Sequence, residues 1–453
     1  MKLPGAALLK RLGWTSAGFG YSQGIRLGGN IIMTRLLAPE IFGIMLIVNT
    51  LRNGMELLTD IGVGQNIVAD RRGDDRDFYN TAWTLQAARG IVLAIAFAIA
   101  AIPLSALYGG GVLLPVLQFS ALFLLVSGFQ SVGRYLAQRQ QRVRTLALFE
   151  MALATASMAV LILLVWIWPT VWALVFGALV SALMTAIASY WIVPGLKLRF
   201  HIDGASFRDI IHFSKWIFLS SIVFFIATNF DRLYLGTVIP LALLGVFGIA
   251  RGLSDIVGSL VIRVGNMIVF PAIAAARQNA GELRAKLSEL RVPLLLAAAL
   301  AIAALVAISD VLVMLMYDAR YHAAAVMLPV LAVGLWFTVL ATIGEAILLG
   351  VGKPIYGTIA NFAKLGWLVV MIPAGVAAGN IAGAVLAIAL GDLVRYVATL
   401  IGQARERLAF VWQDLVLTGV FVIAVFALRA LTGAVGLTDG WTTWWPAIAG
   451  VLQ

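Results

Sequence analysis

The sequence predicts an all-α polytopic membrane protein, and three observations support this fold class. Of its 453 residues, 62% are hydrophobic and only 12% are charged. The mean hydropathy is +0.99. Apolar segments of about 20 residues, the length that crosses a bilayer core of about 30 Å, recur along the chain with short connections between them. This pattern excludes a soluble enzyme.

The apolar segments predict twelve membrane spans, with one or two more at the C-terminal end. The segments lie near 13–36, 41–64, 81–105, 111–133, 146–168, 171–193, 213–237, 241–268, 292–316, 323–350, 354–377, 381–402 and 413–432. The tail at 441–453 is too short for a full crossing. Its three tryptophans suit an interfacial anchor or a truncated last span.

Lysine and arginine are concentrated in alternate connections, which predicts the orientation. The basic connections include 70–77, 134–146, 195–212 and 272–291. The opposite connections hold little positive charge beyond Arg320. By the positive-inside rule, we predict a cytoplasmic N-terminus and an uncleaved first span. The same rule explains the net charge of +11, so no nucleic-acid partner is expected.

Metal and thiol chemistry find no support in the composition. The chain has no cysteine, which excludes disulfides, thiolate metal sites and a cysteine nucleophile. Its three histidines, His201, His212 and His322, are scattered and lack the spacing of metal ligands. We therefore expect no catalytic residue, metal or cofactor.

The chain divides into two predicted six-span halves. The N-terminal lobe covers 1–195, a cytoplasmic linker 196–212, the C-terminal lobe 213–402, and additional helix or helices 403–453. The second span of each half carries an arginine followed four residues later by an acid, which places both side chains on one helical face. These pairs are Arg52 with Glu56 and Arg251 with Asp255. Internal repeats are common in transporters whose site lies between the halves.

Three of the arginines within predicted spans, Arg26, Arg52 and Arg251, are candidates for a cavity lining. An arginine at the centre of a lipid-exposed helix costs about 3 kcal/mol or more, so such residues usually face a bundle interior or a wet cavity. The pattern indicates an interior built for an anion. The alternative is a set of intramembrane salt bridges that only fix helix packing. Other charges have simpler interpretations: Arg89 snorkels to an interface, and Asp392 with Arg395 forms an i to i+3 pair.

Two motifs resemble a known family. They are TRLLAPEIFGIMLIVNTL at 34–51 and NFDRLYLGTVIPLALLGVFGIARGL at 229–253. They are similar to the Wzx-type lipid-linked oligosaccharide flippases, or polysaccharide-synthesis transporters, and the resemblance covers about residues 10–405. It implies the multidrug/oligosaccharidyl-lipid/polysaccharide (MOP) exporter fold, with two six-helix lobes in a V around a central cavity. It also implies a bacterial inner membrane and transport of an undecaprenyl-pyrophosphate-linked glycan from the cytoplasmic to the periplasmic leaflet.

The resemblance also suggests the site. In the related lipid II flippases, arginines of the first, second and eighth spans line the cavity, and Arg26, Arg52 and Arg251 stand in those spans here. Those relatives have an acid directly after the first-span arginine, where this chain has Leu27.

The chemistry agrees, because guanidinium groups bind phosphate oxygens in a bidentate fork. We assign the remaining substrate-binding positions to Gln23, Asn30, Asn49, Asn229 and Arg232, and proton or sodium coupling to Glu56, Asp60, Asp231, Asp255 and Glu345.

The predicted function is therefore a flippase that works by alternating access, with membrane lipids and the polysaccharide polymerase machinery as further partners. One alternative is a cation-coupled multidrug exporter, whose cavity should favour acids and aromatic side chains over arginine. The other is a membrane-embedded glycan polymerase or ligase. That class of enzyme uses long periplasmic loops, whereas the predicted outer connections here are short.

Overall fold

The protein is all-helical throughout the part that the computed structural model describes, residues 6–58, 62–275 and 280–436. Its helices are α1 (Ala6–Leu36), α2 (Pro39–Leu58), α3 (Val63–Ala69), α4 (Arg76–Leu107), α5 (Leu113–Gly128), α6 (Gly133–Arg139), α7 (Val143–Ile167), α8 (Val171–Ser189), α9 (Gly204–Val238), α10 (Leu241–Ala275), α11 (Ala280–Ala307), α12 (Ser309–Met316), α13 (Ala324–Gly350), α14 (Ile355–Arg405) and α15 (Val411–Ala434). The predicted tail at 441–453 lies outside the described residues.

Eight helices in these described ranges are long and apolar enough to cross a membrane, and α5 with α6 makes a ninth, bent by 49°. The 51 residues of α14 would measure about 77 Å at about 1.5 Å per residue, more than twice the bilayer core. Its backbone is non-helical at Gly379 and Asn380, so α14 has two arms that match the predicted spans 354–377 and 381–402. The predicted class, an all-α polytopic membrane protein, is confirmed.

Three predicted spans differ from the observed helices. Within 41–64, α2 ends at Leu58 and the separate short helix α3 follows. The segment 111–133 is broken after α5, and 292–316 is divided at Ile308 into α11 and α12. A hydropathy window of about 20 residues averages over such short breaks, so hydropathy alone does not reveal them.

By contact density the chain forms two compact units. Unit 1 contains Met1–Phe225 and Gly236–Leu241, and unit 2 contains Ile226–Leu235 and Ala242–Gln453. The division falls within α9 and at the start of α10, after the linker at 196–212. The lobe boundaries expected from the sequence stay a prediction.

Close helix contacts in unit 1 depend on small residues. A Cβ atom at Gly90 of α4 would lie 2.6 Å from the Cα of Gly128 at the end of α5. Similarly, a Cβ at Gly29 of α1 would overlap the side chain of Met158 in α7. A second contact region is the buried cluster that joins α3, α4 and α6, with Ile67, Phe78, Ala82, Val132 and Leu136 among its members.

Part of the predicted linker is bound along α4 in unit 1. Backbone N–H groups of alternate linker residues donate to α4 side chains: Arg199 to Asn80 Oδ1 at 3.1 Å, His201 to Thr84 Oγ1 at 3.0 Å, and Asp203 to Thr81 Oγ1 at 2.9 Å. The next residues, 204–212, already belong to α9. At the start of that helix, the Asp203 carboxylate accepts hydrogen bonds from the backbone and hydroxyl of Ser206.

In unit 2, α11 and α15 run parallel, and ion pairs join α15 to α11 near one end and to α12 near the other. Arg291 of α11 donates to Asp414 of α15 at 2.8 Å, and both side chains are only 1% exposed. Near the other end, Arg429 donates to both carboxylate oxygens of Asp310, at 2.7 and 2.6 Å. The Arg429 guanidinium also donates to the carbonyl of Ala307, the last residue of α11, at 2.9 Å, so contacts at both ends fix the register between α11 and α15.

Candidate functional site

A polar pocket of about 760 Å³ lies inside unit 1, between α2, α3, α4, α5 and α6. Its volume is typical of small-molecule sites, which span about 300–1,000 Å³. Most of its polar lining consists of uncharged amide, hydroxyl and phenol groups. The polar lining residues are Asn53, Glu56, Gln65, Gln86, Arg89, Ser127, Gln130, Tyr135 and Gln138.

The break between α5 and α6 forms part of the pocket wall, because Gly128 and Gln130 line it. The carbonyl groups released by the break accept hydrogen bonds from side chains. Gln86 Nε2 donates to the carbonyls of Gly128 and Gln130, at 3.2 and 2.9 Å, and the Tyr190 hydroxyl donates to that of Phe129 at 2.8 Å. Irregular backbone at membrane depth is tolerated where it is buried in protein or lines a cavity. Broken helices are also frequent at the binding sites of transporters.

Arg89 is the cationic residue that lines this pocket. It lies well inside α4, and its Nη2 donates to the backbone carbonyl of Glu56 on α2. The interpretation of Arg89 as a residue that snorkels to the interface is therefore wrong. The sequence analysis did not place Arg89 in the site. Its spacing from Gln86, three residues apart in an apolar helix, could have indicated that both polar side chains lie on one face.

Arg52 lies beside the same pocket without lining it. Its guanidinium carbon is 3.9 Å from the ring centroid of Phe123, which does line the pocket. The Nε of Arg52 is buried and has no hydrogen-bond partner. The Glu56 carboxylate interacts electrostatically with both Arg52 and Arg89, and it accepts a long hydrogen bond of 3.5 Å from Ser127. Two arginines and one acid leave this part of unit 1 with a net positive charge.

The other predicted site residues of unit 1 do not line the pocket. On α1, Arg26 is exposed, whereas Gln23 and Asn30 are half-buried. Asn49 is half-buried on α2, three residues before Arg52. Asp60, predicted for ion coupling, lies outside the described residues.

Arg139 of α6 holds α3 and the turn after it in place. Its guanidinium donates to the carbonyls of Ile67 and Val68, both at 3.1 Å, and also to those of Asp70 and Arg71. The last helical carbonyls lack partners within a helix, so these bonds cap the C-terminus of α3. Its Nε also donates to Asp74 at 2.7 Å.

The turn itself is further ordered by a local hydrogen bond. The Arg72 backbone N–H donates to Asp70 Oδ1 at 2.9 Å and lowers the pKa of that carboxyl. Because α3 and α6 both contribute to the pocket, Arg139 fixes one of its walls.

The predicted site residues of unit 2 belong to a network of ion pairs. Arg251 Nε lies 3.4 Å from Asp255 and 3.9 Å from the buried Asp231. Arg232 donates to Asp255 at 2.7 Å and to Asn229 at 3.2 Å. The i to i+4 spacing of Arg251 and Asp255 therefore places these groups together, as predicted.

Asp392 and Arg395 interact electrostatically, but the predicted ion pair between them is replaced by closer partners on other helices. Asp392 accepts a 2.5 Å hydrogen bond from Lys364, and both side chains are buried. Arg395 instead binds both carboxylate oxygens of Glu345, at 2.9 and 2.6 Å. Partners on other helices are reached once the bundle has packed, so i to i+3 spacing could not decide the pairing.

Across this unit 2 network, acids and cations are balanced. Four carboxylates, Asp231, Asp255, Glu345 and Asp392, face four cations, Arg232, Arg251, Lys364 and Arg395. A balanced network has little net charge with which to attract an anion. Within unit 2, the geometry favours the salt-bridge interpretation of Arg251 over the cavity interpretation. No group of three or more metal-binding side chains occurs in the residues described.

The fold is that of membrane transporters of the MOP superfamily. The lipid II flippase MurJ, in an inward closed conformation, matches with a TM-score of 0.72 and 12% identity over 96% of this chain and 95% of that chain. An inward-facing multidrug resistance MATE family transporter of the MOP superfamily matches with a TM-score of 0.63 and 16% identity, over 88% and 95% of the two chains. At these identities the likeness concerns the fold alone.

The sequence comparisons identify the family. The profile of the polysaccharide biosynthesis protein family matches residues 32–326, and the chain belongs to this family. The lipopolysaccharide biosynthesis protein WzxC of Escherichia coli K12 is 21% identical over 262 residues, 58% of this chain and 53% of that protein. The chain thus spans about half the length of this curated relative. The resemblance to Wzx-type polysaccharide flippases is confirmed.

Proposed function

We propose that this protein flips an undecaprenyl-pyrophosphate-linked oligosaccharide from the cytoplasmic to the periplasmic leaflet of a bacterial inner membrane, for cell-surface polysaccharide synthesis. The observation that carries the proposal is the unit 1 pocket, which combines a broken span, an amide-rich lining, Arg89 in its wall and Arg52 beside it. Family membership and the flippase-like fold support it. The protein performs no covalent chemistry in this proposal.

The pocket suits such a substrate in both charge and hydrogen bonding. The polyprenyl tails remain in lipid during transport, and only the anionic, sugar-bearing head must cross. Guanidinium groups stay charged and bind phosphate oxygens strongly. Arg89 and Arg52 are therefore the proposed ligands of the pyrophosphate. The amides of Asn53, Gln65 and Gln138 suit sugar hydroxyls, because each amide offers both donors and acceptors.

The proposed direction follows from the position of the pocket in unit 1. Its α3 and α6 walls adjoin the connections at 70–75 and 140–142, which are rich in arginine. The positive-inside rule places such connections in the cytoplasm, so the substrate enters from the cytoplasmic leaflet. We propose that alternating access then exposes it to the other side.

A driving force is also part of the proposal. The acids of the unit 2 network, together with Glu56, are the groups available for proton or sodium exchange. The membrane potential acts on the anionic substrate itself, with about 2.3 kcal/mol per charge per 100 mV.

The proposal is tested by flipping of a fluorescent polyprenyl-pyrophosphate oligosaccharide in proteoliposomes. Arg89→Ala should lower the flipping rate about tenfold or more, because one charge-assisted hydrogen bond contributes about 1.5–3 kcal/mol. Arg52→Ala should also impair flipping at normal protein abundance, because the Glu56 carboxylate would still have Arg89 as an electrostatic partner. Lysine at either position should restore only part of the rate, since it lacks the bidentate fork.

The matched control is Arg142→Ala, which removes an exposed cation from the connection between α6 and α7. Its rate should equal that of the unchanged protein. Full flipping by both Arg89→Ala and Arg52→Ala would contradict the proposal. So would export of cationic dyes with no binding of polyprenyl pyrophosphates, which indicates a multidrug exporter.

A further inference from the structure

A second polar cavity, of about 450 Å³, lies in unit 2 at the first turns of α11 and α15. Both helices are apolar spans, so the cavity lies where two adjacent spans begin on the same side. Its lining includes Arg284 and Ser288 from α11, Phe410, and Trp412 and Gln413 from α15.

The inner wall of this cavity is held in place by buried contacts. Arg291 is paired with Asp414, and its guanidinium carbon lies 4.5 Å from the ring centroid of Phe410. Gln413 Nε2 donates to the backbone carbonyl of Ser288 at 3.3 Å and also to its hydroxyl. Gln413 Oε1 accepts a long hydrogen bond of 3.5 Å from Arg291. The side chains at the back of the cavity are therefore pre-organised.

The mouth of the cavity presents a cation and an indole. Arg284 is exposed; its Nη2 donates to the Ala409 carbonyl at 3.3 Å, and its guanidinium carbon lies 6.0 Å from the ring centroid of Phe410. These two contacts orient the guanidinium and leave further N–H donors for a ligand. Trp412 is 77% exposed. Tryptophan is enriched at the membrane–water interface, where its ring lies at the level of the lipid headgroups.

Apolar surface continues from the cavity along the two spans. On α11, Val292, Leu296 and Leu300 are exposed at i to i+4 spacing, and on α15 Leu415 is 61% exposed. A cation and an indole next to lipid-facing aliphatic side chains match a phospholipid, with an anionic head and two hydrocarbon chains. A soluble anion would have no use for that apolar surface.

The described charged side chains around the cavity are mostly cationic, although Glu289 on α11 is an exposed acid. Lys286 is exposed on the first turns of α11, and Arg405 and Arg407 are exposed just before α15. Glu406 between them is engaged by Tyr356 at 3.0 Å and by Lys353 at 3.8 Å. Clustered cations at the end of a span attract anionic lipids by about 1 kcal/mol for each lysine or arginine near the surface.

We infer that the α11–α15 cavity binds the headgroup of an anionic phospholipid, with the phosphate on Arg284 and the headgroup against Trp412. The acyl chains follow the exposed apolar faces of the two spans. This site lies within unit 2, and it does not depend on the proposed flippase function.

The test is native mass spectrometry of the detergent-solubilised protein, titrated with phosphatidylglycerol or with phosphatidylcholine of the same acyl chains. Phosphatidylglycerol should bind about fivefold more tightly than phosphatidylcholine. Arg284→Ala should remove this preference, whereas Arg284→Lys should keep part of it, because the charge remains and the fork is lost. The control Arg142→Ala, an exposed cation in unit 1, should bind as the unchanged protein does.

Three outcomes overturn the inference. One is equal affinity for the two lipids in the unchanged protein. Another is an unchanged phosphatidylglycerol preference in Arg284→Ala. The third is displacement of the lipid by millimolar inorganic phosphate, which would make the site one for soluble anions. If Arg284→Ala melts at a lower temperature than the unchanged protein, Trp412→Ala is the deciding variant. It should bind phosphatidylglycerol more weakly than the unchanged protein and melt at the same temperature.

Discussion

Single arginines in predicted spans have different environments in this protein, and their partners distinguish them. Arg251 lies among carboxylates, with Asp255 at 3.4 Å and Asp231 at 3.9 Å. Arg52 lies against an aromatic ring, and it shares the single Glu56 carboxylate with Arg89. A guanidinium that carboxylates already neutralise has less to offer an anionic ligand. These environments support the proposed role of Arg52 and Arg89, rather than Arg251, as contacts of the anionic substrate.

The pair of Lys364 with Asp392 allows a prediction about structural charges. Lys364→Met should destabilise the protein by about 3–5 kcal/mol, because it leaves the buried Asp392 without its nearest cation. The double variant Lys364→Met with Asp392→Leu should recover most of this loss, since replacing a buried pair by apolar residues is often neutral. The melting temperature in detergent measures both changes.

Asp392 also interacts electrostatically with Arg251, so the double variant leaves Arg251 with Asp231 and Asp255 as its acids. If Lys364→Met alone melts at the temperature of the unchanged protein, the pair is not a structural element of unit 2. In that case Lys364 would join the candidates for ion coupling.

At the scale of elements, the broken span formed by α5 and α6 creates the pocket of unit 1. A continuous helix would satisfy its own carbonyls and would leave Gln86 without its present acceptors. The break instead needs Gln86, Tyr190 and Ser189, which bond to the backbone of residues 128–131. These polar residues on neighbouring helices are thus the local requirement for the pocket.

The contact of α6 with α3 through Arg139 yields a second prediction. Arg139→Ala should release α3 and the turn at 70–74, because four backbone carbonyls lose their donor. Limited trypsin digestion should then cut faster at Arg71 and Arg72, and substrate affinity in the flipping assay should fall. Arg139→Lys should give an intermediate result, because a single ammonium group cannot reach all four carbonyls.

The comparison variant for this experiment is Arg134→Ala, whose arginine lies on the same helix in an exposed pair with Glu150 at 3.3 Å. Exposed pairs contribute about 0–1 kcal/mol, so digestion should remain unchanged. Equal digestion rates for Arg139→Ala and the unchanged protein would show that α3 is held by its apolar cluster alone.

For the whole molecule, the orientation in the membrane is the property that remains to be measured. The chain has no cysteine, so single cysteines report sidedness without background. Cysteine at Arg142, in the connection between α6 and α7, should resist an impermeant thiol reagent added from outside. Cysteine at Pro169, in the exposed connection between α7 and α8, should react with it. The opposite pattern would reverse the predicted topology and the proposed direction of transport.

The linker has a more specific role than its sequence indicates. The sequence predicts only a cytoplasmic connection between two separately packed halves, which suggests that the chain can be cut within 203–206. In the structure, residues 199–203 hydrogen-bond to α4, the helix that carries Gln86 and Arg89, and Asp203 caps α9. A cut at that point would separate the cap from its helix, so the connection at Gly195, whose φ is +77°, is the better place to divide the chain.

The amino-acid sequence by itself determined the class, the family and most of the spans of this protein. Membrane spans are read from composition over about 20 residues, and this signal is local. The sequence also pointed to Arg52 and Glu56 as candidate site residues, because a charge in an apolar run is visible without a structure. The i to i+4 spacing of Arg251 and Asp255 was equally informative, since both residues lie on one helix.

Only the tertiary structure decided which polar groups meet. The pocket joins residues of five helices, and the partners of Asp392 and Arg395 lie 28 and 50 positions away in the chain. It also showed that Arg89 lines the pocket and that the fourth predicted span is broken. Hydropathy averages over neighbours in sequence, whereas side-chain partners are set by packing between helices. Pairings between distant helices therefore follow from the fold and not from spacing.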